Sequence, residues 1–361
     1  VKKYKFLIIV FLLFLCFWTF IFLSQQVWQY QAKKSSRIPD STGIHSLEKV
    51  TLGGVDQWIL IRGRDRSKPV LLFLHGGPGS ALFPRARDLG VGLELEKYAV
   101  MVYWEQRGCG KSYNSSIPVE SMTIEQLVND TVELTRILTE RFDKQKIILV
   151  GRSFGSLIGI KAAAGHPELY HSFTGIGQMV YPLKNDSLSF DHTMALARQA
   201  DNQKAITELQ ETGYPPYIPK QLLVQRRWLT VFYDKMMQEK FNVKPKNQWK
   251  VLLSTPEYTL PDIFRMGMDP FFCINHLWND KFYKVNLFGQ IPRLDIPVYF
   301  FTGQYDFFTS SDLVTQYYQQ LDAPQGKHLI LFDESGHQPE TEQPDKFYEV
   351  MVNQVLLDIK E

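Results

Sequence analysis

The chain has 361 residues, 44% of them apolar and 22% charged, with 40 Lys and Arg against 38 Asp and Glu. That length holds one large domain or two modest ones, and a formal charge of +2 excludes a strongly basic nucleic-acid binder and an acidic tail. Cys16, Cys109 and Cys273 form no C-x-x-C pair, which excludes a disulfide scaffold and the usual zinc spacings, and no H-E-x-x-H is present to suggest a zinc peptidase.

From Phe6 to Leu23 the chain is uncharged and almost wholly apolar. As a helix this run is about 27 Å long, close to the ~30 Å hydrocarbon core of a bilayer. Tyr4, Trp18, Trp28 and Tyr30 include aromatics suited to the two interfaces. A cleaved signal has an apolar stretch of about 7–15 residues ending in small side chains. Here the run is longer, and a cut after Ser24 or Ala32 would leave Phe22 or Tyr30 at the minus-three position. An uncleaved single-pass anchor over residues 1–24 is expected. Lys2, Lys3 and Lys5 abut the span, whereas Lys33, Lys34 and Arg37 start about ten residues past it. This asymmetry puts the N-terminal side in the cytoplasm and the body outside it.

Residues 25–47 are polar and read as a linker. Strand-length apolar runs follow at Trp58 to Arg62, Val70 to Leu74 and Val100 to Trp104. Thr123 with Gln126 three residues on has the pattern of a helix start, continued by Leu127, Val128, Leu134 and Leu138 at helical spacing. Ile147 to Val150 is a fourth strand, with a small-residue helix from Ser156 to Ala164 directly behind it, and Phe173 to Val180 a fifth. The alternation stops at 182–292, where aromatics, charges and helix-like stretches dominate. It resumes with strands at Val298 to Phe301 and Leu329 to Phe332 and helices near Asp312 and after Pro344. The pattern predicts an α/β fold with a mostly parallel sheet flanked by helices. Its core is divided over 48–181 and 293–361, with a helical insert between them.

Gly151-Arg152-Ser153-Phe154-Gly155 has G-x-S-x-G spacing between a strand and a helix. Such a turn strains the serine backbone and leaves its hydroxyl exposed at the sheet edge, while glycines on either side avoid collision. A serine hydroxyl needs a base, and the base an orienting carboxylate. Asp306 ends the strand after the insert and His337 follows the last strand, giving the chain order Ser, Asp, His. His166, His171 and His192 are rival bases in helix-end or insert positions, and Asp312 and Asp333 are rival acids at a helix start and a turn. His75-Gly76-Gly77-Pro78-Gly79 follows a strand, and the N–H of Gly77, with Gly76 second, is expected to pair with that of Phe154 as an oxyanion hole. His75 is expected to brace this loop.

Two nucleotide patterns fail. Gly108-Cys109-Gly110-Lys111-Ser112 has Glu105 where a phosphate-binding loop needs glycine, and the G-x-G-x-x-G begun at Gly77 ends on Leu82. No metal or organic cofactor is implied.

With these residues the chain resembles the α/β-hydrolase superfamily, and within it the prolyl aminopeptidase (proline iminopeptidase) group of serine peptidases. The resemblance rests on His75 to Gly79, on Trp104 to Ser112 (Glu105 standing where the group usually has Asp), on Gly151 to Gly155, on Gly303 to Asp306 and on Gly336-His337. It implies Ser153 as nucleophile, His337 as base and then acid, Asp306 as its orienter, and Gly77 with Phe154 as oxyanion hole. It also implies a helical cap whose carboxylates hold a substrate ammonium; Glu208, Glu211, Asp234 and Glu239 are the candidates. The group's Trp-x-x-Trp-Glu cap signature is absent at Trp228. Trp228, Phe232, Tyr233, Phe271, Phe272 and Trp278 line a pocket or fill the cap core. The expected activity is removal of N-terminal residues from short peptides. An esterase or lactonase acting on a small acyl group is the alternative, and a non-catalytic binding module a third. The partners expected are the substrate and a membrane, not nucleic acid.

Overall fold

In the central strands, successive residues feed two different cores. Val70, Leu72 and Leu74 enter one apolar cluster and Leu71 and Phe73 another, while Ile147 and Leu149 separate from Ile148 and Val150 in the same way. Strands buried on both faces read as unbroken apolar runs, which is why the sequence shows no polar alternation there. The computed structural model describes residues 2–38, 41–92, 94–244, 247–267 and 269–357. Its strands are β1 (Ile44–Leu52), β2 (Val55–Gly63), β3 (Val70–Leu74), β4 (Val100–Glu105), β5 (Ile147–Arg152), β6 (Tyr170–Ile176), β7 (Val298–Gly303) and β8 (Lys327–Phe332). They form one sheet in the order β1-β2-β4-β3-β5-β6-β7-β8. Only β2 runs against its neighbours; the pairs from β4 to β8 are parallel.

All seven expected strands are present, Val70–Leu74 with the expected ends and the other six with one or both ends shifted. The fifth expected strand stops at Ile176 rather than Val180, because Gly177 turns away with φ +55°. β1 was not expected. It is an edge strand with mostly half-exposed, polar residues, so burial leaves little pattern on it. The clue was the pair Gly53-Gly54, both at positive φ between Leu52 and Val55 of a two-residue hairpin, where glycine is favoured. The stretch read as a linker is also different. The first helix runs Lys2–Ser35, exposed along its apolar length, and β1 already begins at Ile44.

The helix Ile124–Phe142 starts where expected, with Thr123 Oγ1 accepting from the Gln126 amide at 3.0 Å. The Gln126 side chain does not reach back to complete a reciprocal cap; it donates to Asp130 at 2.7 Å. Between β6 and β7 the chain forms helices from Pro182–Gln199 to Leu287–Gln290, including the long Pro219–Phe241.

The helix Phe154–Gly165 packs against β5, β6 and β3. A Cβ on Gly155 would lie 2.4 Å from the His75 carbonyl oxygen and 2.5 Å from that of Leu74, contacts between backbones that cannot yield. Gly165, at the other end of the helix, has open space around its Cβ position. Gly155→Ala is therefore expected to cost about 1–3 kcal/mol or more, whereas Gly165→Ala stays within about 1 kcal/mol of wild type or gains stability. Chemical denaturation of the two variants checks this contrast.

Candidate active site

β5 ends at Arg152 and the next helix begins at Phe154, so Ser153 alone makes the reversal. Its backbone sits at φ +53°, ψ −123°, a region that costs about 1–3 kcal/mol for a residue with a side chain. The Ser153 amide donates to the Ile176 carbonyl at 2.8 Å, tying the turn to the end of β6. Placed as the residue before the helix, Ser153 lies beside unpaired backbone N–H groups, among them that of Phe154. The Phe154 side chain is buried, its ring 5.8 Å from that of Phe282.

Asp306 follows β7 and His337 follows β8. The two loops are joined by the Tyr305 amide, which donates to the Ser335 carbonyl at 2.9 Å. His337 Nδ1 lies 2.8 Å from Asp306 Oδ2. The second carboxylate oxygen accepts from the amides of Phe308 (2.9 Å) and Thr309 (2.8 Å), and Oδ2 also accepts from Thr309 Oγ1 at 2.6 Å. Burial pushes the Asp306 carboxyl up, but the imidazole charge and these hydrogen bonds outweigh it and hold the group below the ordinary carboxylate range. An ionised Asp306 accepts a hydrogen bond from Nδ1–H, and so favours the neutral tautomer in which Nε2 is free to act as a base.

Ser153, His337 and Gly77 line one cleft of about 750 Å³. A Cβ on Gly76 would come within 2.9 Å of Ser153 Cβ and 3.6 Å of its Oγ, so the glycine loop lies directly against the serine. Among the described residues no hydrogen bond joins the Ser153 hydroxyl to the imidazole; such bonds commonly tighten only with substrate in place. His75 is held inside the loop, with Nδ1 2.8 Å from the Gly76 carbonyl and Nε2 accepting the Gln106 amide at 3.1 Å. Burial pushes its pKa down to about 4, so it is neutral and ties the loop as expected.

The rivals lie elsewhere. His166 pairs with Glu168, His171 is in β6, and His192 stacks on Phe307. Asp312 opens the helix Ser311–Gln320 and Asp333 pairs with Lys346. Of the four candidate cap carboxylates only Asp234 lines the cleft. Glu208 is taken by Arg227 and the Trp228 indole, Glu239 by Lys235, and Glu211 is exposed. Of the cap aromatics, Tyr233 and Trp278 line the cleft, Trp228 and Phe232 are core, and Phe271 is exposed. Among the described residues no group of three or more His, Cys, Asp or Glu side chains is placed to hold a metal ion.

A family profile described as the alpha/beta hydrolase fold matches residues 69–339. The chain belongs to the α/β-hydrolase family. This α/β hydrolase is 31% identical over 316 residues to the probable aminopeptidase YbaC of Bacillus subtilis, a match covering 86% of this chain and 96% of that protein. It is 24% identical over 304 residues to the proline iminopeptidase of Saccharolobus solfataricus, covering 81% and 85%. In fold it is similar to a bacterial membrane phospholipase A, with a TM-score of 0.63 at 17% identity over 99% of this chain and 98% of that one.

In this α/β hydrolase several residues around the site left no motif. Glu342 Oε2 accepts from Ser335 Oγ (2.6 Å) and from the amides of Gly336 (2.8 Å) and Gln338 (3.1 Å), so the histidine loop wraps a carboxylate. Tyr233 of the helical insert donates to Glu342 Oε1 and accepts the His337 amide at 2.9 Å. Only Thr309 had a readable signal, as a hydroxyl three residues after an aspartate in a turn.

Glu105 is fully buried. It accepts from the Leu82 and Lys111 amides at 3.1 and 2.6 Å and from the Tyr258 hydroxyl, joining the loop after β3, the loop after β4 and the insert. Burial pushes its carboxyl up to about 7 against those hydrogen bonds. The unfolded carboxyl titrates near ~4.3, so through the intervening window the folded protein holds a proton that the unfolded chain releases. Stability then falls as pH rises through that window. The Tm advantage of wild type over Glu105→Gln is expected to shrink from about pH 5 to about pH 8. A constant difference would mean that folded Glu105 is ionised throughout.

Proposed function

We propose that this α/β hydrolase is a membrane-anchored serine hydrolase that releases N-terminal residues, of the proline type, from short peptides through an acyl-enzyme. The observation that carries the reading is the convergence of Ser153, on its strained turn, with His337 in one cleft while Asp306 holds His337 Nδ1 at 2.8 Å. Ser153 Oγ attacks the acyl carbon as its proton passes to His337 Nε2, and the tetrahedral oxyanion takes the N–H groups of Gly77 and Phe154. The C–N bond then breaks, His337 returns the proton to the leaving amine, and water repeats the sequence on the ester. The names of the Bacillus subtilis and Saccharolobus solfataricus relatives, probable aminopeptidase and proline iminopeptidase, support a peptide substrate.

An exopeptidase must also hold a terminal ammonium. Asp234 and Glu342 both face the cleft. Burial, and then the charge of Glu342, push the Asp234 carboxyl up; an ammonium between the two would relieve the repulsion. We assign this pair to the substrate amine, residues 182–292 to a cap carrying Asp234, and residues 6–23 to a span with the body outside the cytoplasm.

Ser153→Ala is expected to abolish labelling by a fluorophosphonate, and Asp306→Asn to lower turnover about 10⁴-fold by disfavouring the required imidazole tautomer. Persistent labelling of the alanine variant would remove Ser153 from the chemistry. For the substrate class, acetylating the amine of a prolyl amide is expected to abolish cleavage, and Asp234→Asn to raise KM for the free amine about tenfold or more. Equal cleavage of free and acetylated amides would instead favour an ester substrate, a reading supported by the apolar side of the cleft at Leu222, Met237, Val251, Leu252 and Ile274.

A further inference from the structure

The first helix does not end at the last apolar residue of the span. It continues to Ser35 and lies against the body through the helix Gln248–Ser254. Gln25, itself buried, donates to the Tyr258 carbonyl at 3.2 Å. Gln29 donates to the carbonyls of Thr255 and Tyr258 at 2.9 and 2.8 Å. Lys250 Nζ sits 6.0 Å from the centre of the Trp28 ring, and Ala32 is buried.

These contacts set a depth. Measured along the helix from Leu23, Gln25 is about 3 Å on, Trp28 about 7.5 Å and Gln29 about 9 Å. The headgroup layer of a bilayer is about 5–8 Å thick on each side. The residues these contacts hold, Lys250, Thr255 and Tyr258, therefore fall at headgroup level or just outside it if residues 6–23 span the membrane, and the short helix Leu260–Arg265 follows directly on them.

What residues 248–265 display suits the location. Trp249 is 70% exposed and Phe264 79% exposed, a large apolar area for a surface in water. Every exposed charged residue described from 243 to 267 is basic: Lys244, Lys250 and Arg265. The two acidic residues are turned inward. Asp262 is buried and bound to Lys111 and Arg265, and the Glu257 carboxylate is covered and 3.8 Å from His45. Aromatic side chains beside lysine and arginine are the composition that settles at phospholipid headgroups.

We propose that the face carrying Trp249, Lys250, Phe264 and Arg265 is a second membrane contact, seated among phospholipid headgroups beside the span. It rests on the reading of residues 6–23 as a membrane anchor. Gln248, Val251 and Leu252 of the same helix line the cleft, so one wall of the candidate active site lies beside the bilayer. A substrate adsorbed to that surface is held next to it.

The test uses the full chain in phosphatidylcholine–phosphatidylglycerol vesicles, with tryptophan emission quenched either by a nitroxide on the lipid headgroup or by bromine at the middle of the acyl chain. Trp249→Phe keeps an aromatic ring at an exposed position, so folding is preserved. Trp249→Phe is expected to remove about one tryptophan's share of the headgroup-quenched emission, and Trp18→Phe a similar share of the mid-chain-quenched emission. Loss in Trp18→Phe with no change in Trp249→Phe would overturn the second contact and leave the anchor standing. No change in either variant would overturn the anchor and the second contact together.

Discussion

The reversal at Ser153 is the constraint on which the rest of the molecule depends. β5 lies between β3 and β6, and one residue separates its end from the start of a helix. Backbones must then pass in direct contact: Gly155 against the carbonyls after β3, and the Ser153 amide on the last carbonyl of β6. In a parallel sheet the chain leaves every strand at the same edge, so the loops after β3, β5, β7 and β8 are delivered to one place. The glycine loop and His337, with Asp306 bound to it, come to the serine's edge of the sheet for that reason, across more than 250 residues of chain.

Position at the sheet edge does not by itself fix an imidazole. That is done by two carboxylates. Asp306 takes the ring through Nδ1 and is held in turn by Thr309 and two loop amides. Glu342 gathers the backbone on either side of His337 and the hydroxyl of Tyr233. Because Tyr233 belongs to the helical insert, the histidine loop and the insert share one hydrogen-bond network. Substituting Gly336 would break it sterically, since a Cβ there would lie 2.4 Å from the Tyr233 ring. Glu105 plays the matching part for the loop after β3, which it ties to Tyr258 of the insert.

The readable parts were those whose chemistry is local. Ser153 lies within a five-residue pattern between a strand and a helix, and Asp306 and His337 each stand a few residues past an apolar run. The central strands were visible because burial on both faces makes them continuously apolar. β1 was not, because an edge strand with half its residues in water carries a weak pattern. Glu342, the tie of Tyr233 to the histidine loop and the inward turn of Asp234 left no mark. A carboxylate that binds loop amides looks, in sequence, like any carboxylate on a helix. The four acidic residues considered in the insert are chemically alike, and only packing separates the one facing the cleft from those on Arg227, on Lys235 or in water.

The sequence by itself determined the alternation of strands and helices, the apolar N-terminal run, the strained serine turn and the order of the three polar residues, since each is set by neighbours within a few positions. The tertiary structure decided which carboxylates meet the histidine loop, which insert residues enter the cleft, and where the first helix lies against the body. Those contacts join residues as far apart as Gln25 and Tyr258. Their energies come from complementary shape and donor–acceptor geometry that exist only once the chain has folded.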